Sequence, residues 1–243
     1  MKFVEVENIF FNCIPRRYHR YNREFYAQII SLCLNIKTGY LFDLFPFSFQ
    51  QMRNLLNELT KILSIEFIIL KYSINDLIIV TKTQLSQLKT RSILLIDLTV
   101  MQLIETHSLL NQIQNHISWI DEQQIDLDNE TNQSWMQLIE NLNHTTVFGY
   151  LLGYPLVYIY SSNHQIDANT LKNFRLYIRF RDFQEDTLLY SFSCPIHSTI
   201  DQDKIESFVN NWFSLLSETI KSIHEIIDYR LERQTRDQSV WCL

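Results

Sequence analysis

The chain has three glycines and four prolines in 243 residues, where glycine alone ordinarily makes up ~7% of a sequence. That scarcity excludes most nucleotide-phosphate chemistry. Glycine-rich loops let backbone N–H groups close around a phosphate, and neither GxGxxG nor GxxxxGK[ST] occurs. Closely spaced cysteine is missing too. Cys13, Cys33, Cys194 and Cys242 form no CxxC pair, which argues against a disulfide framework and a cysteine-rich metal site. They read as reduced thiols of a cytoplasmic protein. The Asn-x-Ser/Thr matches at Asn129, Asn132 and Asn143 are then expected to be coincidental.

Excess basic charge is also lacking. The net charge is −6 and the pI near 5.6, so no nucleic-acid and no membrane-surface partner is expected. Glu5 and Glu7 interrupt the apolar start, which does not read as a secretory signal. The longest uncharged apolar run, about 147–160, is too short to span a bilayer and contains Gly and Pro.

What is present is an ordinary globular mixture of strand and helix patterns. Two of the glycines and one proline fall in Gly149–Tyr160, around which the chain is organised. Gly149 is expected to stop a helix over about 132–147. Pro155 suits the start of a strand, and Leu156–Tyr160 reads as that strand, buried on both faces. Upstream, 29–36 and 40–45 read as strands about a turn at Lys37-Thr-Gly39. Apolar residues at 49, 52, 55, 56, 59, 62 and 63 have helical spacing. A hairpin is expected at 65–72 and 77–81, then a short helix at 83–89, a strand at 93–96 and a helix from Val100 to about Trp119. Strands over 174–180 and 187–193 should join Leu156–Tyr160 in a three-strand block. From Asp201 or Asp203, apolar residues step by three and four to Ile227, predicting an amphipathic helix of ~30 residues, or ~45 Å at 1.5 Å per residue. The reading is α/β: one mixed sheet built from hairpins and covered by helices, in a single domain over 1–243. Within it, 121–132, with five carboxylates and no basic residue, is an acidic loop insertion, and 234–243 a frayed tail.

Four segments carry a resemblance: Leu32–Asp43, Asn75–Val80, Leu151–Tyr158 with its Leu-Gly-Tyr-Pro, and Leu189–Pro195 with its Tyr-Ser-Phe-Ser. In this order and spacing the chain resembles, over roughly 29–230, the uncharacterised eukaryotic family first catalogued as an open reading frame on human chromosome 1. The resemblance implies no activity, cofactor or catalytic residue.

The residues themselves offer three weak constellations. Cys194 and His197 could be a nucleophile with its base, or two ligands of a metal site without a third. A buried structural cysteine is the blander alternative. Asp43 and Asp97 each end an apolar strand, where ligands of open α/β sheets bind. They could hold a divalent ion or act as acid and base, or simply cap turns and helices. Four arginines and two tyrosines in 15–23 could meet phosphates and bases, although a solvated helix start is favoured on an acidic chain. The overlong terminal helix therefore leads the functional expectation: a non-catalytic protein-interaction or adaptor protein, its partner docking on the C-terminal helix, with no cofactor and no metal. The alternative is a hydrolase-type enzyme with a site around Asp43, Asp97 or Cys194.

Overall fold

The computed structural model of the chain describes residues 3–71, 77–88, 90–104, 111–115, 118, 144–159, 170–183 and 185–237. The chain divides into two compact units: Met1–Thr90 with Ile113–Asn141, and Arg91–Gln112 with Leu142–Leu243. The class is α/β, but the strands form three separate three-stranded sheets in place of one. Among the described residues no helix is long and apolar enough to cross a membrane.

In the first unit, helices α1 (Phe3–Cys13) and α2 (Asn22–Cys33) flank a short 3-10 helix at Arg16–Tyr21. Strand β1 (Gly39–Phe42), helix α3 (Phe49–Leu63), strands β2 (Phe67–Lys71) and β3 (Leu77–Thr81) and helix α4 (Lys82–Leu88) follow. The sheet order is β1-β3-β2, antiparallel throughout, with Tyr40 opposite Ile79 and Ile69 opposite the same residue from the other side. All five residues of the central strand β3 are buried, which explains why it carries no polar alternation. Helix α3 starts on a capping box: Ser48 Oγ accepts from Gln51 N at 3.2 Å and Gln51 Oε1 accepts from Ser48 N at 2.9 Å, satisfying two otherwise orphaned donors. Its buried stripe is Met52, Leu55, Leu56 and Leu59, each contributing about 1.5–3 kcal/mol of apolar burial.

The stretch 29–36, expected to be a strand, is instead the end of α2, to Cys33, and the turn that follows it. Six consecutive residues, Ala27 to Leu32, are buried there. A helix wrapped on all sides shows no 3.6-residue stripe, and a short apolar run cannot then be told from a strand.

The second unit holds β4 (Leu94–Asp97), β5 (Gln102–Ile104), α5 (His144–Leu152), β6 (Leu156–Ile159), β7 (Thr170–Phe180), β8 (Thr187–Pro195), α6 (Gln202–Lys221) and β9 (Ile226–Asp237). One sheet is mixed, β5-β4-β6, with β4 and β6 parallel; the other is antiparallel, β8-β7-β9. The expected three-strand block is thus corrected: β6 pairs with β4, and the third strand beside β7 and β8 is β9. The helix expected from Val100 gives way to β5, with helical residues at 111–115. Trp212 of α6 packs edge-on against Tyr190 and Phe192 at 5.3 and 5.6 Å, and Phe213 meets Tyr229 at 6.1 Å. These contacts fix α6 as a cover for the β7 sheet.

The ~30-residue helix is corrected as well. α6 has 20 residues and ends at Lys221. Ile223 and Ile227 keep a helical spacing by coincidence; the chain turns and runs back as β9, which pairs with β7 as far as Asp237 opposite Thr170, past the start of the tail expected to fray. A further correction concerns Gly149, which lies inside α5. A Cβ there would stand 3.2 Å from Val157 Cγ2, so this glycine serves the close approach of α5 to β6. The stop is Gly153, at φ 82°. The acidic segment 121–132 and the residues beyond Asp237 lie outside the described residues.

Candidate functional site

Helices α2 and α5 end by the same device. After α5, Tyr154 N donates to Gly149 O at 2.9 Å and Gly153 N to Tyr150 O at 3.1 Å. After α2, Ile36 N donates to Ser31 O and Asn35 N to Leu32 O, both at 3.1 Å, with Asn35 at φ 58°. This is the Schellman arrangement, in which a left-handed residue turns the chain back over the helix end. Asn35 is held in place by Gln84 of α4, whose Nε2 donates to its Oδ1 at 2.8 Å. The turn therefore delivers Lys37, two residues later, back against α2.

Lys37 is 8% exposed. Its Nζ donates to Gln28 Oε1 at 2.5 Å and sits 5.3 Å from the centroid of the Tyr40 ring. Glu24 lies one helical turn before Gln28 on α2, hence on the same face, and Asp43 follows the end of β1. Burial pushes the Lys37 ammonium down to about 7, against an upward pull from Asp43 and then Glu24. The Glu24 carboxyl is pushed up, first by partial desolvation and then by Asp43, with Lys37 opposing. The Tyr40 phenol is raised by burial, Asp43 and Glu24 adding to it. Its hydroxyl is buried without a hydrogen-bond partner. Desolvation is the leading cause in each case, because an apolar environment disfavours whichever form is charged. The shell is aromatic: Phe25 lies 5.9 Å from Tyr40 and 4.8 Å from Phe42.

One amine, one phenol, two carboxylates and an amide thus converge between α2 and β1. Burial thus favours the unprotonated amine far more than in an ordinary lysine, and in that form it can accept a proton or attack an electrophile. The phenol retains an unspent donor, and the carboxyl groups can relay protons.

Of the residues singled out by sequence, Asp43 belongs to this centre. Asp97 does not: it falls in the other unit, where its Oδ1 accepts from Thr99 N at 2.7 Å and Val100 N at 3.4 Å. That is the turn-capping role, here between β4 and β5. Cys194 is fully buried, its Sγ donating to Pro195 O at 3.3 Å. Burial pushes the thiol up to about 12, which favours the protonated, less reactive form. His197 Nδ1 lies 2.8 Å from Thr199 Oγ1, which in turn donates to Met101 O. Thiol and imidazole are engaged elsewhere and do not pair. Among the described residues no group of three or more His, Cys, Asp or Glu could hold a metal ion. In the arginine-rich stretch, Arg17 lies over the Tyr18 ring at 4.7 Å and Arg20 over Tyr21 at 4.6 Å, while Tyr18 stacks on Phe45 at 4.6 Å. The tyrosines anchor this segment to the first unit's aromatic core.

Sequence reasoning named Asp43 but missed Lys37, Glu24, Gln28 and Tyr40. A lysine in a Lys-Thr-Gly turn looks solvated, and only the helical state of 22–33 brings Glu24 and Gln28 to it.

A family model described as a domain of unknown function (DUF4504) matches residues 14–242. No curated protein and no solved structure matches the chain.

Proposed function

The chain belongs to the DUF4504 family, and we propose that it binds a small molecule and acts on it by proton transfer at the Lys37 centre of the first unit. In this reading Lys37 is the base or nucleophile, Glu24 and Asp43 set its charge balance, and Tyr40 donates. Hydrolysis, with Lys37 taking a proton from water, is one reaction the set allows. The observation that carries the reading is the position of the Lys37 amine: buried, held by Gln28 and flanked by two carboxylates. Buried titratable groups shifted towards neutrality cluster at functional sites. The free thiols of Cys13, Cys33 and Cys194 support a reducing, cytoplasmic setting. The eukaryotic family resembled in sequence, catalogued from human chromosome 1, is part of this reading.

The test is a thermal-shift screen of the purified protein against a panel of uncharged and charged metabolites. A ligand at a hundred times its dissociation constant adds ~2.7 kcal/mol, which is roughly 5–10 °C for a chain of this size. The shift should vanish in Lys37→Met and shrink in Asp43→Asn. A panel without effect, or a shift that survives Lys37→Met, overturns the reading.

A second reading keeps the protein as a non-catalytic adaptor that docks a protein through α6. It is favoured by Leu215, 60% exposed on that helix. Trp212 and Phe213 of the same helix are already used against the β7 sheet, so the remaining apolar surface is small. Under this reading Leu215→Glu abolishes capture of a protein partner and leaves any Lys37-dependent thermal shift unchanged.

A further inference from the structure

We infer that the Lys37 amine forms a reversible imine with an uncharged aldehyde or ketone, which names the substrate class for the centre proposed above and rests on that reading. Three observations narrow the choice. The two carboxylates that act on Lys37, Asp43 and Glu24, repel an anionic ligand, so the amine is badly placed to anchor a phosphate or a carboxylate. An uncharged electrophile meets no such barrier. The aromatic shell of Phe25, Tyr40 and Phe42 favours a ligand with an apolar part. Finally, Tyr40 is 6% exposed and its hydroxyl has no hydrogen-bond partner. A buried polar group left in that state is destabilising, which a carbonyl oxygen accepting from it would offset.

The step balances without an outside oxidant or reductant. The neutral amine adds to the carbonyl carbon, forming a C–N bond while the oxygen takes a proton and becomes a hydroxyl. The nitrogen then returns one proton to the Tyr40 phenolate, the carbinolamine hydroxyl takes a proton and leaves as water, and the iminium nitrogen gives its last proton to the Glu24 carboxylate, leaving a neutral C=N bond. Tyr40 is placed to supply the first proton. Glu24, whose carboxyl is pushed towards its protonated form, is suited to supply the second and to recover one from the iminium.

The experiment treats the full chain at pH 7 with benzaldehyde, and separately with dihydroxyacetone, in the presence of cyanoborohydride, and then maps modified lysines by peptide mass spectrometry. Ordinary lysines are overwhelmingly protonated at that pH, so Lys37 should be labelled at least roughly tenfold faster than the others. No adduct should form at this position in Lys37→Arg. Labelling of other lysines with Lys37 untouched until the protein is unfolded overturns the imine. A parallel measurement separates this failure from failure of the proposed centre: competitive acetylation of Lys37 with acetic anhydride across pH 5–11. A midpoint near 7 without an adduct keeps the proton-transfer centre and removes the carbonyl substrate. A midpoint near 10 removes both.

Discussion

Lys37 in the first unit and Cys194 in the second are both buried, and burial has opposite chemical consequences for them. Desolvation favours the neutral form of any titratable group. For the thiol, pushed up to about 12, the neutral form is the unreactive one. For the amine, pushed down to about 7, the neutral form is the reactive one. The same apolar environment therefore silences the nucleophile that the sequence advertises and awakens one that it conceals. A Cys-x-x-His string says nothing about reactivity until the solvation of its sulfur is known.

The contrast is sharpest in the dependence of stability on pH. Between pH 7 and 10.5 the unfolded chain holds a proton on Lys37 that the folded chain has released. The unfolded state then binds more protons, so unfolding free energy rises with pH through that window and is flat below it. At 1.36 kcal/mol per unit, wild type should gain about 2–3 kcal/mol relative to Lys37→Met between pH 7 and 9. Urea unfolding midpoints of the two proteins at pH 6, 7, 8 and 9 measure this directly. Parallel curves would place the amine in water. Cys194 behaves in the opposite sense: above pH 9 the unfolded thiol ionises while the folded one keeps its proton to about 12, so that contribution falls as pH rises. Cys194→Ala should soften the alkaline decline, leave the neutral range unaffected, and lower stability by about 1 kcal/mol through the lost sulfur packing.

The paired helix ends offer a smaller effect. Gly153 and Asn35 occupy the same left-handed position after α5 and α2. Glycine takes that conformation without steric cost and asparagine at slight cost, whereas alanine pays for its Cβ. Gly153→Ala and Asn35→Ala should each lose about 1 kcal/mol in chemical denaturation. They should differ in one respect. Asn35→Ala also removes the acceptor for Gln84 and loosens the turn that presents Lys37, so it should slow Lys37 labelling, while Gly153→Ala should not.

How much of this was legible follows from whether an element has one buried face or two. Helix α3 shows its stripe because its opposite side is wet, and its sequence bounds match the structure from Phe49 to Leu63. Strands β7 and β8 show their alternation for the same reason. Helix α2, buried at six consecutive positions, has no polar side to set a period, and its apolar end passes for a strand. Past Lys221, no glycine or proline marks the end of α6, so isoleucines at a spacing of four prolong the pattern into β9. The site shared the fate of α2. Asp43 was visible as a carboxylate at a strand end, but Glu24 and Gln28 come from a helix whose apolar end reads as a strand.

The weakest expected effect tests whether charge in the second unit is only structural. Asp186 Oδ1 accepts from Arg179 Nε at 2.6 Å and its Oδ2 pairs with Arg230, which also reaches Glu232 at 2.9 Å and lies over the Tyr177 ring at 4.7 Å. These hydrogen bonds hold the Asp186 carboxyl below its ordinary value. The ladder lies on the wet face of the β7 sheet, where its charges are paired with one another and partly open to water. Ion pairs in that setting contribute little and are screened by salt. Asp186→Asn should shift the urea midpoint slightly at low ionic strength and not at all at 1 M salt. Any difference from wild type should fade only as the pH falls into the carboxylate range, since a lowered acid contributes stability above its unfolded pKa and loses it below. Lys37 should respond in the reverse manner, little affected by salt and sensitive near neutrality, because burial of the amine itself, more than its exposed neighbours Asp43 and Glu24, governs its protonation. A salt-sensitive Lys37 midpoint, or a salt-insensitive Asp186 variant with a large loss, would reverse the roles assigned to the two units.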